Sequence, residues 1–271
     1  MTDQAHEFEA ALPLLDPLKF AEASRDADVL KLVREALAAG RARLAVQPIV
    51  IANDISKLGF YEGLIRVMDD NGRIIPAAHF VPVVEDIDLG RQIDVASLQL
   101  AFRMLSLNPK MRLSINVSAR SLGDSRWRRA LNTGLQGQGA LGERLILEIT
   151  EGSAMFLHEV LMQFMEEMQP RGLGFALDGF GAGMTSFRHL KEFLFDIIKI
   201  DKSYARNVAT NADNQVLCEA LISLSDQFGM LTVVDGIESA ADAQFLQTSG
   251  ADFLQGYHFG VPRFLKPQRT A

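Results

Sequence analysis

The stretch "GLGFALDGFGAG", residues 172–183, is an apolar run that closes on one acid, Asp178, followed by glycines at 179, 181 and 183. A short apolar run bounded by turn residues reads as a buried strand. The segment after it has two readings: a glycine loop that cradles a phosphate, or a metal-binding carboxylate whose loop must bend sharply. Phosphate loops place their glycines just ahead of a helix, as G-x-x-x-x-G-K-[ST] or G-x-G-x-x-G. "GFGAGMTSFRHL" matches neither pattern. The carboxylate reading is favoured.

The same unit recurs along the chain. Strand-like runs stand at "RLAVQPIVI", "LGFYEGLIRV", "RLSINVS", "RLILEIT", "FDIIKID", "MLTVVD" and "DFLQGY", with helical patterns between most of them. Val95, Leu98, Phe102 and Leu105 mark one helical face; Val216, Ala220, Leu224 and Phe228 mark another, stopped at Gly229. Near the start, Leu30, Val33 and Leu37 share a face in a helix expected from Asp28, with Gly40 as its stop. Eight strands alternating with helices predict an α/β fold, a TIM-like (β/α)8 barrel, with an open doubly wound sheet as the rival. The expected division is a leader and helix over 1–40, the barrel over 41–265 and a tail over 266–271. The leader, to about residue 26, is weakly periodic and fits either a stand-alone protein or a piece of a longer signalling chain.

Bulk properties narrow the function. In 271 residues, 48% hydrophobic and 23% charged, there is enough apolar side chain for a real core. The formal net charge of -7 speaks against non-specific binding to nucleic acid polymers or anionic membranes. No apolar run has the length of a membrane span, and the acidic N-terminus is no signal peptide. Cys218 is the only cysteine, which excludes an internal disulfide and predicts a reducing, cytoplasmic setting. Within a helical pattern it reads as a buried structural thiol. The five histidines, His6, His79, His158, His189 and His258, lack zinc-ligand spacing.

Polar residues within or at the ends of the runs carry the chemistry: Glu62, Asn116, Glu148, Asp178, Lys199, Asp201, Asp235 and Gln255. In a barrel the C-terminal strand ends converge on one mouth, so groups distant in sequence meet there. Buried charges need a partner or a cation, and carboxylates with an amide oxygen suit Mg²⁺, Mn²⁺ or Ca²⁺. Taken singly, each acid is as well explained as a helix cap, and Asp178 and Asp235, each followed by Gly, as turn initiators. So many in succession favour a site, with one or two left to capping.

With these residues in hand, the chain resembles the EAL domain family of cyclic di-GMP phosphodiesterases and their inactive relatives. The resemblance runs from about Arg43 to Pro262 and rests on "QPIV", "YEGLIRV" in place of E-A-L-x-R, "FVPVVED", "INVSARSL", "LEITE", "LDGFGAG", "IKIDKSY", "VVDGIES" and "LQGYHFGVP". It implies a barrel with an irregular first strand. It also implies that Glu62, Asn116, Glu148 and Asp178 hold the first of two divalent cations, that Lys199 positions the attacking water, that Glu151 ties down the loop after Asp178, and that Gln255 supports the site. Gln47, Leu64 and Arg66 would contact the dinucleotide, Arg66 at a phosphate, and Asp201 would serve ligand binding. A homodimer, paired near the loop after the fifth strand, is a further implication.

The departures fall on one cation. Active members carry a second Asp where this chain has Gly179, and a Glu where it has Asp235, leaving Asp235 as a weak second-site ligand. Gly63 inside the signature and Ala182 in the loop are lesser changes. Phosphodiester hydrolysis is best served by two cations about 3.5–4 Å apart. The expectation is therefore a cyclic di-GMP receptor with absent or very weak phosphodiesterase activity, holding Mg²⁺ or Mn²⁺, or Ca²⁺ non-productively, at the first site only. It would act on an unknown protein partner. The alternatives are an active enzyme yielding linear pGpG and a scaffold that no longer binds nucleotide.

Overall fold

The structure, a computed structural model, describes residues 17–136, 141–183, 190 and 192–265, with side chains from residue 25 onward. The first sixteen residues of the leader, residues 184–189 of the glycine-rich stretch (His189 included) and the tail 266–271 lie outside the described residues.

Among the described residues nine strands form one sheet: β1 (Ala42–Ile51), β2 (Asp54–Met68), β3 (Ile74–Pro76), β4 (Leu113–Asn116), β5 (Leu145–Thr150), β6 (Gly174–Phe180), β7 (Ile197–Ile200), β8 (Leu231–Val234) and β9 (Phe253–Gln255). Their order is β1-β9-β8-β7-β6-β5-β4-β2-β3, and β1 also pairs with β2. That last pairing closes eight strands into a TIM-like barrel and leaves the short β3 hanging outside on β2. From β2 through β4 to β9 neighbours are parallel, whereas β1 runs antiparallel to both β2 and β9. The β1–β2 register slips on either side of Val50. This is the expected irregular first strand. The two strands are joined by only a tight turn, which forces them antiparallel.

Among the described residues the α-helices on the outside are α1 (Pro17–Ala38), α2 (Val81–Val84), α3 (Asp88–Leu107), α4 (Ser125–Gln136), α5 (Glu151–Phe156), α6 (His158–Met168), α7 (Lys202–Ala205), α8 (Ala212–Gln227) and α9 (Ala240–Thr248). The first differs from expectation by starting at Pro17 rather than Asp28. Proline is pre-set for the first helical turn, so it opens this helix instead of breaking a leader. Val33 and Ala36 of α1 are fully buried, and Gly40 stops the chain with φ of +64°.

In α8 the expected face is corrected. Val216, Ala220 and Phe228 are exposed; the buried face is Cys218, Ile222 and Ser225, with Leu221 and Leu224 beside it. Ser225 reaches the core side because its Oγ donates to the Leu221 carbonyl at 2.8 Å, which removes the penalty for burying a hydroxyl. Gly229 ends the helix at φ +70°, as the sequence predicts.

Inside the barrel, Ile49, Phe60, Ala176, Ile197 and Val233 pack as one apolar layer, with Ile146 and Phe253 against it. Strand side chains alternate faces, so the residue two further along points the same way. Two residues nearer the mouth stand Gln47, Glu62, Asp178, Lys199, Asp235, Glu148 and Gln255, one for each member of the layer. The apolar layer is thus the floor on which a polar layer is set.

Candidate functional site

Lys199 stands at the centre of the polar layer and is 2% exposed. Its Nζ donates to Glu148 Oε2 at 2.6 Å and to Glu62 Oε2 at 3.1 Å, and lies 3.5 Å from Asp178 Oδ1. Glu62 is satisfied on every side: Gln255 Nε2 donates to Oε2 at 2.6 Å and Asn116 Nδ2 to Oε1 at 2.8 Å. Gln255 Nε2 also approaches Gln47 Oε1 at 3.4 Å, while Gln47 donates to the Gly260 carbonyl at 3.1 Å. Seven of the residues singled out in the sequence therefore meet through direct polar contacts, contributed by β1, β2, β4, β5, β6, β7 and β9.

The electrostatics follow from one ammonium shared among several acids. Burial works to raise Glu62, yet Lys199, with the Gln255 and Asn116 bonds, outweighs it and leaves the carboxyl below its usual value. For Glu148, burial and then the Glu62 and Asp178 charges prevail over Lys199 and push it up to about 8. Lys199 itself is held well above its usual value by Glu148, Glu62 and Asp178 despite its burial. Asp235 is raised by burial and accepts from the amide of Gly236 at 2.7 Å.

The remaining candidates sit around this cluster. Glu151 accepts from the amides of Gly181 and Gly183 at 3.2 and 3.1 Å, and a Cβ on Gly183 would lie 2.9 Å from its carboxyl carbon. Tyr204, which sequence reasoning passed over, donates to the Gly181 carbonyl. Asp201 caps α7, accepting from the Ser203 amide at 2.8 Å. Arg66 is half-buried and donates to the Ile65 carbonyl at 2.9 Å, outside the polar cluster. Gly179 lies at φ +72°, and a Cβ there would meet nothing within 4 Å.

Over the cluster opens a cleft of about 580 Å³, walled by β2, the segment 77–85 and the start of α3. Leu64 lines it, as do Asp94 and Lys202, two residues the sequence did not single out. Asp94 Oδ2 accepts from Ser121 Oγ at 2.6 Å and from the Ser118 amide at 3.1 Å, and burial nevertheless raises its carboxyl to about 7. Lys202 was in plain view beside Asp201, but a lysine at a helix start reads as solvated surface.

The donor set fits a hard cation. Among the described residues no three His, Cys, Asp or Glu side chains stand as a ready metal-holding group, because Lys199 lies between the carboxylates. Yet Glu148 Oε1 is buried with no hydrogen-bond partner, and a buried carboxylate oxygen left bare is the atom a cation would satisfy.

A TIM-like barrel with several acids among the polar residues at its strand ends, above an apolar floor, defines a class of carboxylate-bearing barrels. The chain belongs to the EAL domain family, whose model matches residues 31–262. Among curated proteins it is 30% identical over 235 residues to the cyclic di-GMP phosphodiesterase PdeB of Shewanella oneidensis, covering 85% of this chain and 28% of that protein. It is 27% identical over 247 residues to the bifunctional diguanylate cyclase/cyclic di-GMP phosphodiesterase MucR of Pseudomonas aeruginosa, covering 89% of this chain and 36% of MucR. The chain thus spans about a third of the length of these relatives. Among solved structures, the MucR phosphodiesterase in complex with cyclic di-GMP superposes with a TM-score of 0.80 at 26% identity, over 87% of this chain and 97% of that one. The FimX EAL domain from Pseudomonas aeruginosa bound to cyclic di-GMP gives 0.79 at 26% identity, over 87% and 96%. No helix among the described residues is long and apolar enough to cross a membrane.

Proposed function

We propose that this chain is a cyclic di-GMP receptor whose phosphodiesterase activity is absent or very slow. The observation that carries the reading is Gly179: the position following Asp178 offers no carboxylate, and Asp235 is one methylene short of the Glu that active relatives carry. Supporting it, the MucR and FimX structures hold cyclic di-GMP on the same fold.

Glu62, Asn116, Glu148 and Asp178 would hold one divalent cation, Mg²⁺ or Mn²⁺, with Ca²⁺ as a non-productive substitute. When bound, it would supply positive charge to the dinucleotide's phosphodiester. Lys199 keeps Glu62 and Glu148 in place and compensates their charge. Gln255 orients Glu62, and Glu151 holds the 181–183 backbone. Gln47, Leu64 and Arg66 would contact the nucleotide. The lone buried Cys218 supports a cytoplasmic setting. A homodimer and a protein partner complete the reading of a module that reports nucleotide occupancy.

A second reading, slow hydrolysis to pGpG, is favoured by the intact contacts of Lys199 with Glu62, Glu148 and Asp178. Calorimetry with cyclic di-GMP and Mg²⁺, Mn²⁺ or Ca²⁺ tests both. Saturable binding that needs the cation is expected; no heat with any of the three would leave only the scaffold alternative.

A further inference from the structure

The backbone that follows Asp178 is gripped at one residue from two sides. Gly181 donates its amide to Glu151 Oε2 at 3.2 Å, and its carbonyl accepts from the hydroxyl of Tyr204. Glu151 opens α5 directly after β5, and Tyr204 lies in α7, just past the end of β7. In the barrel β5 and β7 are the two neighbours of β6. The segment after β6 is therefore fastened to the strand on either side of its own.

Tyr204 is itself anchored. Its side chain is partly buried against the core, its amide bonds the Asp201 carbonyl at 3.1 Å, and its carbonyl accepts from Cys218 Sγ of α8 at 3.4 Å. The ring lies against the bare Cα of Gly181. At φ +92°, a Cβ on that residue would come 2.8 Å from Tyr204 Cε2 and 3.2 Å from Leu221 Cδ1. Glycine is thus called for at 181 both by the left-handed backbone and by the tyrosine beside it. A phenol has one proton to donate, and the Gly181 carbonyl receives it.

The grip matters because side-chain contacts hold Asp178 less firmly than its neighbours. Lys199 Nζ stands 3.5 Å from Asp178 Oδ1, against 2.6 Å for Glu148 and 3.1 Å for Glu62, and the Asp178 side chain is 29% exposed. Its backbone then decides where the carboxylate points. Gly181 sits inside the turn that directly follows, closed by the Ala182 amide on the Gly179 carbonyl at 3.2 Å. Resting on the receptor reading for its cation, we propose that Tyr204 is a positioning residue: its hydroxyl and Glu151 clamp Gly181 between them and so fix the backbone that presents Asp178 to the cation.

The first test is amide hydrogen exchange of the metal-free chain and its Tyr204→Phe variant, followed residue by residue by NMR. Phenylalanine keeps the ring and its packing, so the variant is expected to fold. Exchange at Gly181 and Gly183 should run about fivefold faster, the worth of one neutral hydrogen bond, with the amides of β8 unchanged. Equal exchange overturns the clamp. The second test is Mn²⁺ titration of both proteins, where about fivefold weaker binding is expected for Tyr204→Phe. Equal Mn²⁺ affinity alongside faster exchange overturns the positioning role and leaves the cation site standing. No Mn²⁺ binding by the unaltered chain overturns the cation site and the positioning role together, and the exchange rates then decide the clamp alone.

Discussion

The two halves of the mouth are built by different rules. On one side Glu62, Glu148, Lys199 and Gln255 project from strands, are buried, and hold one another through bonds of 2.6–3.1 Å. On the other, Gly179, Asp235 and Lys202 lie past or near the strand ends and are shaped by glycines with positive φ. Strand residues are tied to the core layer beneath them, so each change disturbs packing and charge together. Residues beyond the strand ends can change with little effect on the barrel. That difference fits the proposed reading, in which the ligands of one cation are kept and part of the other's are lost.

The largest effect should come from breaking the buried side. Lys199→Met leaves Glu62 and Glu148 facing each other in the core without their cation, and a loss of about 3–5 kcal/mol is expected from denaturant unfolding without metal. A loss below about 1 kcal/mol would mean that the two carboxyls relax by taking up a proton instead.

Next comes Asp94, on the cleft wall beside the segment that follows β4. Its folded-state value of about 7 lies above that of an unfolded aspartate, so the folded state keeps a proton that the unfolded chain releases. Stability is therefore lost as pH rises from about 4 to about 7 and levels off above that. Allowing for partial exposure to the cleft, the loss is about 2 kcal/mol. Melting curves across this range should show the decline, and Asp94→Asn should flatten it; an unchanged slope in that variant assigns the decline to other groups.

The smallest change in stability is expected on the open side. Gly179→Asp meets no atom within 4 Å but must accept a left-handed backbone, at about 1 kcal/mol for a residue type that tolerates it comparatively well. Its consequence for function is the reverse of small: metal-dependent hydrolysis should rise. An unchanged rate would show that more than one carboxylate is limiting.

Much of the buried side was legible because a strand's period of two leaves a mark. Phe60–Glu62, Ile146–Glu148, Ala176–Asp178 and Ile197–Lys199 each pair a floor residue with a site residue, and all four site residues were singled out from their runs. Gln47 escaped that reading and came only through family resemblance, since β1 runs the other way and its site residue precedes its floor residue, Ile49. The α8 face was misread because apolar residues occur on both sides of that helix, and spacing alone could not choose between Val216–Ala220–Leu224 and Cys218–Ile222. Ser225 settled it through a bond to its own helix, which no pattern of hydrophobicity records. Lys202 escaped notice for a related reason: its place on the cleft depends on how the barrel is assembled, with its stem packed against Gly236.

The central claim is that this site holds cyclic di-GMP without turning it over. Its most direct test is to saturate the chain with the dinucleotide in Mg²⁺ or Mn²⁺, incubate, and resolve the bound nucleotide by chromatography. Intact cyclic di-GMP is expected to be recovered with the protein. Conversion to linear pGpG at the pace of an active phosphodiesterase would contradict it and show that Asp235 suffices without a carboxylate at Gly179.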